Sequence, residues 1–543
     1  MTRHLRRREF LQFGLGSGAI VARPQSLWAL APKADGLVTG HAEGAEAGNA
    51  VLANGGNAID AIVAAALVAG VVAVPGTGIA GYGGHLVLAK PDGTVNAIDF
   101  NSTAPAAAIA DMFHADEQGR VAGNVHLRGW LAAGVPGVLA GLQLALDKHG
   151  SKRFPDLVKP AIRFAKDGFA VKKNLAAAIA AASKQFEKDS GSSKLFLKNG
   201  KPLAEGETFR NPDLAALLEQ LAEKGRVDDF YTGKTAAKIA AAFKANGGLV
   251  TEADLASYRA VEVKPLTTAW GEAAIHTPPP TSAGLTAIQA ITTLRALGWE
   301  KLDSADPVAI QSKIDALRIA WTDRLKFLGD PKFAEVPVER LLSEAYAKES
   351  AERVRAAVKA KKPVEGKSDG RSAGGTVHLN AVDRTGLLVA LTFTHGESFG
   401  AQVTVDGLGL VLGHGVSRFD PRPGRANSIA PGKRPLHNMT PTVVTRKNTP
   451  FLALGATGGR RIPNAVFDVL THRVGRDVPL AEAVKVPRLH TEGDPILALE
   501  PTWPEASVAQ LKAIGYQVKT GSLAVLNAIE RDPAAAAVVS AAR

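Results

Sequence analysis

The sequence contains no cysteine. Disulfides, thiolate nucleophiles and cysteine metal sites are therefore excluded, while an oxidising compartment is permitted. Aromatic residues are scarce, at 6%, and none interleave with a basic cluster. A formal charge of +12 thus reads as a solvated basic surface, with no nucleic-acid partner expected. Long runs of one charge are also lacking. Beyond the N-terminus there is no uninterrupted apolar stretch of the ~18 residues that a membrane span needs. The 13 histidines show no His-Glu-x-x-His or comparable spacing, so neither a catalytic metal nor a cofactor is expected.

What is present is a chain of 543 residues, 46% of them hydrophobic. That is too long for one ordinary core and rich enough for a large buried interior. Five arginines, Arg3, Arg6, Arg7, Arg8 and Arg23, fall in the first 23 residues. Arg7-Arg8-Glu9-Phe10-Leu11, followed by an apolar stretch from Phe13 to Ala22, resembles a twin-arginine export signal. Ala29-Leu30-Ala31 has the small–x–small spacing of a cut site, although Pro32 directly after it is unfavourable. Residues 1–31 are expected to be a removable address. The mature protein is expected to be periplasmic or secreted, without a stable membrane anchor.

Further along, Glu43 to Asn54 reads as a helix closed by Gly55-Gly56. Asn57 is placed to cap a second helix, Ala58 to Val72, apolar nearly all round and so expected between layers. The loop Gly76 to Gly84 is glycine-rich, but it follows a helix, leads into a strand and has no Lys-Ser/Thr ending. Close backbone packing explains it better than phosphate binding. Helices are expected over Leu175–Ala182, Leu214–Gly225, Asp303–Leu328 and Tyr346–Lys361. Residues 362–375 are polar and glycine-rich and read as an exposed linker.

After the linker the texture changes to short strands. Thr376 to Asp383 alternates as a strand, Arg384-Thr385-Gly386 suits a three-residue turn, and Leu387 to Thr394 returns. With Asp383 facing Leu387, Thr376 lies opposite Thr394. A threonine hydroxyl is a poor nucleophile without a base. Breaking the Gly375–Thr376 bond would free an α-amine, of reference pKa about 8, on the nucleophile's own residue. Gly375 would leave the scissile carbonyl unshielded. Leu452 to Ile462 offers a strand, a glycine turn and a helix, so the N–H groups of Gly458 and Gly459 are candidate oxyanion donors. Taken singly, a cross-strand threonine pair is commonly sheet packing and a Gly-Gly before a helix is commonly a turn.

These segments resemble the gamma-glutamyltransferase family of N-terminal-nucleophile hydrolases, from about Gly36 to about Ile529. The matching blocks are Gly55-Gly56-Asn57-Ala58-Ile59-Asp60-Ala61, Ala133-Gly134-Val135-Pro136-Gly137, Phe327-Leu328-Gly329-Asp330-Pro331, Thr376-x-His378, Pro431 to Leu436 with Met439-x-Pro441-Thr442, and Gly455-x-x-Gly458-Gly459-x-Arg461-Ile462. The resemblance implies an α/β (α+β) fold, a four-layer αββα sandwich. It implies self-cleavage before Thr376 into a large subunit, 36–375, and a small catalytic subunit, 376–543, that stay together. Thr376 would be the nucleophile and Thr394 its assistant. The substrate would be a small-molecule amide or peptide.

The departures from the family pattern bear on specificity. Asn101 stands where the family has an arginine for the substrate α-carboxylate, and His437 and Asn438 stand where it has two serines. The stretch that should hold an acidic residue for the α-amine is Gly413-His414-Gly415-Val416-Ser417-Arg418-Phe419, so Gly415 and Arg418 fall in the substrate-binding region. Gly396 replaces an asparagine two residues after Thr394. An amide hydrolase with acyl specificity shifted away from γ-glutamyl fits these residues best. A true gamma-glutamyltransferase and an inactive binding protein on the same scaffold are the competing readings. His378 is expected to be structural, His490 to pack locally, and Glu397 to lie either near the pocket or on the surface.

Overall fold

The computed structural model describes residues 36–369, 374–521, 524–532 and 537–543. The export signal lies outside the described residues. The strands of two sheets are, in chain order, β1 (Gly36–Thr39), β2 (Gly83–Ala89), β3 (Val95–Asp99), β4 (Val261–Val263), β5 (Leu266–Trp270), β6 (Ala273–Thr277), β7 (Val377–Asp383), β8 (Leu388–Thr394), β9 (Thr442–Arg446), β10 (Thr449–Thr457), β11 (Val525–Asp532) and β12 (Ala537–Ala542). The first sheet runs β1-β7-β8-β2-β3-β4 and the second β12-β11-β10-β9-β6-β5. All neighbours in both are antiparallel.

Side-chain parity sorts these strands into layers. Leu379, Ala381, Val389, Leu391 and Phe393 point to the helix side of the first sheet, where they join the core of α1 (Ala42–Ala53) and α2 (Ala58–Val72). Their alternates, among them Val382, Leu388 and Ala390, meet Val443, Ala453 and Ile529 of the second sheet. On the far side, Val444, Leu452 and Leu454 pack under α3 (Gly284–Leu297), α4 (Pro307–Phe327) and α5 (Ile462–Arg473). The result is a sandwich in the order helix, sheet, sheet, helix.

Every residue of α2 is buried, as an all-apolar helix between layers requires. Its N-terminus carries a full capping box, Asn57 with Asp60. Asp383 links this helix to the hairpin: one carboxylate oxygen accepts from Ala58 N–H at 3.0 Å, and the other from Thr385 N–H at 2.8 Å inside the turn. The turn residue Gly386 has φ +93°. The hairpin register is Val377 to Phe393 through Val382 to Leu388, which sets Thr376 opposite Thr394. The helices expected from sequence occur as Lys173–Phe186, Pro212–Lys224, Pro307–Phe327 and Glu344–Lys359. No helix among the described residues is long and apolar enough to cross a membrane.

Candidate active site

Thr376 and Thr394 share the parity of His378 and Thr392, so both hydroxyls project from the face that meets the second sheet. They lie 3.3 Å apart. Thr394 Oγ1 donates to the carbonyl oxygen of Gly375 at 2.7 Å and accepts from Gly396 N–H at 2.7 Å. Thr376 Oγ1 also donates to that same Gly375 carbonyl. Two hydroxyls thus converge on the peptide group that joins linker to strand. One belongs to the residue after the bond, and the other is fixed by a backbone amide. Such an arrangement can polarise the carbonyl and bring a nucleophile to it.

The surroundings are built from close backbone contacts. A Cβ on Gly76 would lie 3.3 Å from Thr376 O, and one on Gly81 2.9 Å from Thr394 O, which accounts for the glycine-rich loop as packing. Gly375 has φ +91° against the backbone of Glu397. A cavity of about 590 Å³ opens here, lined by Gly76, Gly375, Thr376, Glu397, Ser398 and Thr457. Thr457 ends β10, and Gly458 (φ +147°) and Gly459 (φ +63°) follow it at the turn into α5. The glycine pair therefore directly follows a residue of the cavity wall.

Gly396 has φ +102°, and a Cβ there would meet the His414 ring at 2.1 Å. Gly396→Ala is expected to destabilise the fold by about 3 kcal/mol through strain and overpacking. A thermal melt should show this as a lowered midpoint. Gly415 packs on Ser102, whose Oγ would be 2.5 Å from an added Cβ. His414 is fully buried over Gly396, with Nδ1 3.2 Å from Leu127 O.

Asn101 and His437 lie in a buried polar cluster. Both Asn101 N–H groups are spent, on Thr281 Oγ1 and Pro435 O, each at 2.7 Å. His437 Nδ1 accepts from Met439 N–H, and its ring lies 4.7 Å from that of His85. Beside them, burial opposes ionisation of Asp99, but His85 and Arg434 outweigh it and hold the carboxyl far below the usual range. By contrast Arg418 and Asn438 line a second cavity of about 310 Å³, together with Arg324, Arg460 and Glu397. Glu397 faces both cavities. Sequence reasoning passed over Arg324. Its one signal is a run of charged residues, Lys313, Asp315, Arg318, Asp323 and Arg324, that are buried on α4.

His378 is structural: Nδ1 meets Thr392 Oγ1 at 2.8 Å, Nε2 meets Asn380 Oδ1 at 3.0 Å, and the ring sits on Gly455 between the sheets. His490 packs locally against Asn464 and Glu492. Burial lowers His276 to about 4, His378 and His395 to about 3, and His472 to about 2. These rings are neutral when folded and take up protons near pH 6.5 once unfolded. Their stabilisation is present above that pH and is lost as pH falls, by about 1.4 kcal/mol per pH unit for each ring. The thermal midpoint is expected to drop steeply below pH 6, and calorimetry at pH 5 should detect proton uptake on unfolding.

Comparison with known proteins identifies the scaffold. The family model described as gamma-glutamyltranspeptidase matches residues 44–543. The chain belongs to the gamma-glutamyltranspeptidase family. Within it, the glutathione hydrolase proenzyme of Escherichia coli strain K12 is 35% identical over 473 residues, covering 84% of this chain and 81% of that one. The acylase ACY 1 proenzyme of Pseudomonas sp. strain SE83 is 36% identical over 465 residues, covering 84% and 82%. The crystal structure of cephalosporin acylase from Bacillus halodurans superposes with a TM-score of 0.85 at 25% identity, over 98% of this chain and 97% of that one. As a gamma-glutamyltranspeptidase-family member with the fold of the N-terminal-nucleophile hydrolases, the protein is an amide hydrolase or acyl-transfer enzyme.

Proposed function

We propose that this protein is exported by the twin-arginine route and cleaves itself between Gly375 and Thr376, and that Thr376 then acts as the nucleophile of an amidohydrolase. The observation that carries this reading is the convergence of the Thr376 and Thr394 hydroxyls on the Gly375 carbonyl. In self-cleavage, Thr376 Oγ attacks the Gly375 carbonyl carbon, the C–N bond breaks and the Thr376 nitrogen takes the proton. Water then opens the ester, leaving a Gly375 carboxylate and a free Thr376 amine. In turnover the same hydroxyl attacks the substrate amide. The new α-amine accepts its proton and passes it to the leaving amine, and the acyl-enzyme is released to water or to another amine. Thr394 orients the nucleophile, and the N–H groups of Gly458 and Gly459 receive the oxyanion. The products of self-cleavage, 36–375 and 376–543, remain associated because β7 and β8 of the smaller fragment lie between β1 and β2 of the larger and share their core.

The acyl group is proposed to differ from γ-glutamyl. Asn101 cannot supply a bidentate cationic grip, and its donors are already engaged. Arg418 repels an α-ammonium. The identity to a glutathione hydrolase supports the opposing reading, and one assay separates the two. A γ-glutamyl anilide is expected to be a poor substrate, and its efficient turnover at millimolar or lower KM would establish a true gamma-glutamyltransferase instead.

A further inference from the structure

The loop after Thr394 turns through Gly396 (φ +102°), Phe399 (+60°), Gly400 (+56°) and Gln402 (+58°). Glycine adopts positive φ freely, but a phenylalanine does so at a cost. A bulky residue stays in that region only where its surroundings over-determine it. Around Phe399 the surroundings are three other phenylalanines. Phe186 ends the helix Lys173–Phe186, Phe196 ends the helix Ser190–Phe196, and Phe209 lies in the short strand Thr208–Phe209. The Phe399 ring stands edge-on to Phe186, 5.0 Å away at 84°, and to Phe196, 4.9 Å away at 66°. Phe196 in turn stacks on Phe186 at 4.6 Å and on Phe209 at 5.6 Å. These are the offset and edge-to-face arrangements that aromatic rings prefer. None of the four is more than 1% exposed, and they centre a hydrophobic cluster of their own.

The loop is pinned at both ends. His395 N–H donates to Gly76 O at 3.0 Å, and Phe399 N–H donates to Pro75 O at 2.9 Å. Between these ends, Gly396 N–H donates to Thr394 Oγ1. The Glu397 backbone backs Gly375, its carbonyl carbon 3.0 Å from where a Gly375 Cβ would stand. The Gly396 amide thus fixes the assisting hydroxyl, and the Glu397 backbone supports the scissile residue. We propose that Phe399 is a positioning residue for self-cleavage: its ring, seated among Phe186, Phe196 and Phe209, holds residues 395–399 in the turn that aims the Gly375 carbonyl at the two threonine hydroxyls. This rests on the Gly375–Thr376 bond as the one cut. A smaller side chain leaves the box underfilled and lets the backbone relax toward negative φ. The Gly396 amide and the Glu397 backbone then shift together. A misplacement of about 1 Å at reacting groups costs about 100-fold in rate. Phe186, Phe196 and Phe209 belong to the larger fragment and Phe399 to the smaller, so the same box keeps the loop seated after cleavage.

The test times precursor loss in the full chain on a denaturing gel, with a thermal melt of each variant beside it. Phe399→Leu keeps an apolar side chain at the same backbone position and removes the ring. It is expected to cleave about 10–100-fold more slowly than wild type. Phe196→Leu alters the box from the other fragment, outside the site, and should slow cleavage about tenfold. The double variant should be no more than about threefold slower than Phe399→Leu, because both changes act through one contact. Phe399→Met, flexible enough to fill the space the ring leaves, should recover cleavage to within about threefold of wild type. Phe154→Leu is the control for lost stability. Phe154 is 2% exposed in the helix-side core of the first sheet. This variant should lower the melting midpoint comparably to Phe196→Leu yet cleave within about twofold of wild type. Wild-type cleavage with both leucine variants of the box cutting at the wild-type rate would overturn the anchor and leave the Thr376 reading intact. Slowing by Phe154→Leu as large as that by Phe196→Leu would also overturn it, since lost stability alone would then account for the effect. A wild-type chain that is never cut between Gly375 and Thr376 would contradict both.

Discussion

Replacing Thr376 with alanine is expected to leave one uncleaved chain and to lower amidase activity by about 10⁴-fold or more, the loss typical of removing a covalent nucleophile. Thr376→Ser keeps a hydroxyl on the same residue and should still cleave, more slowly, because the missing methyl frees its rotamer. The size of the alanine effect follows from a double dependence. The hydroxyl that would open the Gly375–Thr376 bond is also the one that would attack substrate. The amine that would serve as base exists only after the first event. In the wild-type enzyme kcat/KM should therefore fall tenfold per pH unit below the pKa of that amine, whose reference value is about 8. A pH–rate profile on the mature protein measures this directly. A flat profile between pH 6 and 9 would place the base elsewhere.

Thr394→Val should slow self-cleavage by about 10²–10³-fold, the range seen when one oxyanion donor is removed. The substitution keeps the shape and deletes the hydroxyl that donates to Gly375 O and accepts from Gly396 N–H. It leaves that amide unsatisfied, at a cost of about 1–3 kcal/mol, which a fold of this size tolerates. Thr394→Ser restores both hydrogen bonds and should recover most of the rate. A time course of precursor loss on a denaturing gel, with a thermal melt as control for folding, reads out both variants. Equal cleavage rates in Thr394→Val and wild type would remove Thr394 from the chemistry.

The parts of this architecture that local rules govern were legible before any coordinates. The hairpin register followed from its turn, because Gly386 at positive φ and strict side-chain alternation leave one pairing that buries both faces. Helix α2 was legible because fifteen consecutive apolar or capping-compatible residues can sit only between layers. The glycine-rich loop was legible as packing because it lacks the residues that hold a phosphate. The recognition surface was not legible in the same way. Asn101 and His437 lie in a buried polar cluster with His85, Asp99 and Arg434, a grouping that no local pattern announces. Arg324 and Arg460 are far apart in sequence, yet their guanidinium groups lie 5.4 and 5.2 Å from the Trp321 ring. No periodicity encodes that contact. The last strand, Ala537–Ala542, is alanine-rich and takes its strand form from pairing with β11, a tertiary effect that local propensity does not carry.

In the proposed self-cleavage an internal threonine becomes the first residue of a chain. Intact-mass spectrometry of the active wild-type enzyme, with N-terminal sequencing of the smaller component, tests it most directly. Two polypeptides are expected, the smaller beginning Thr-Val-His-Leu at Thr376. A fully active sample consisting of a single unbroken polypeptide, or one cut at a different bond, would contradict it.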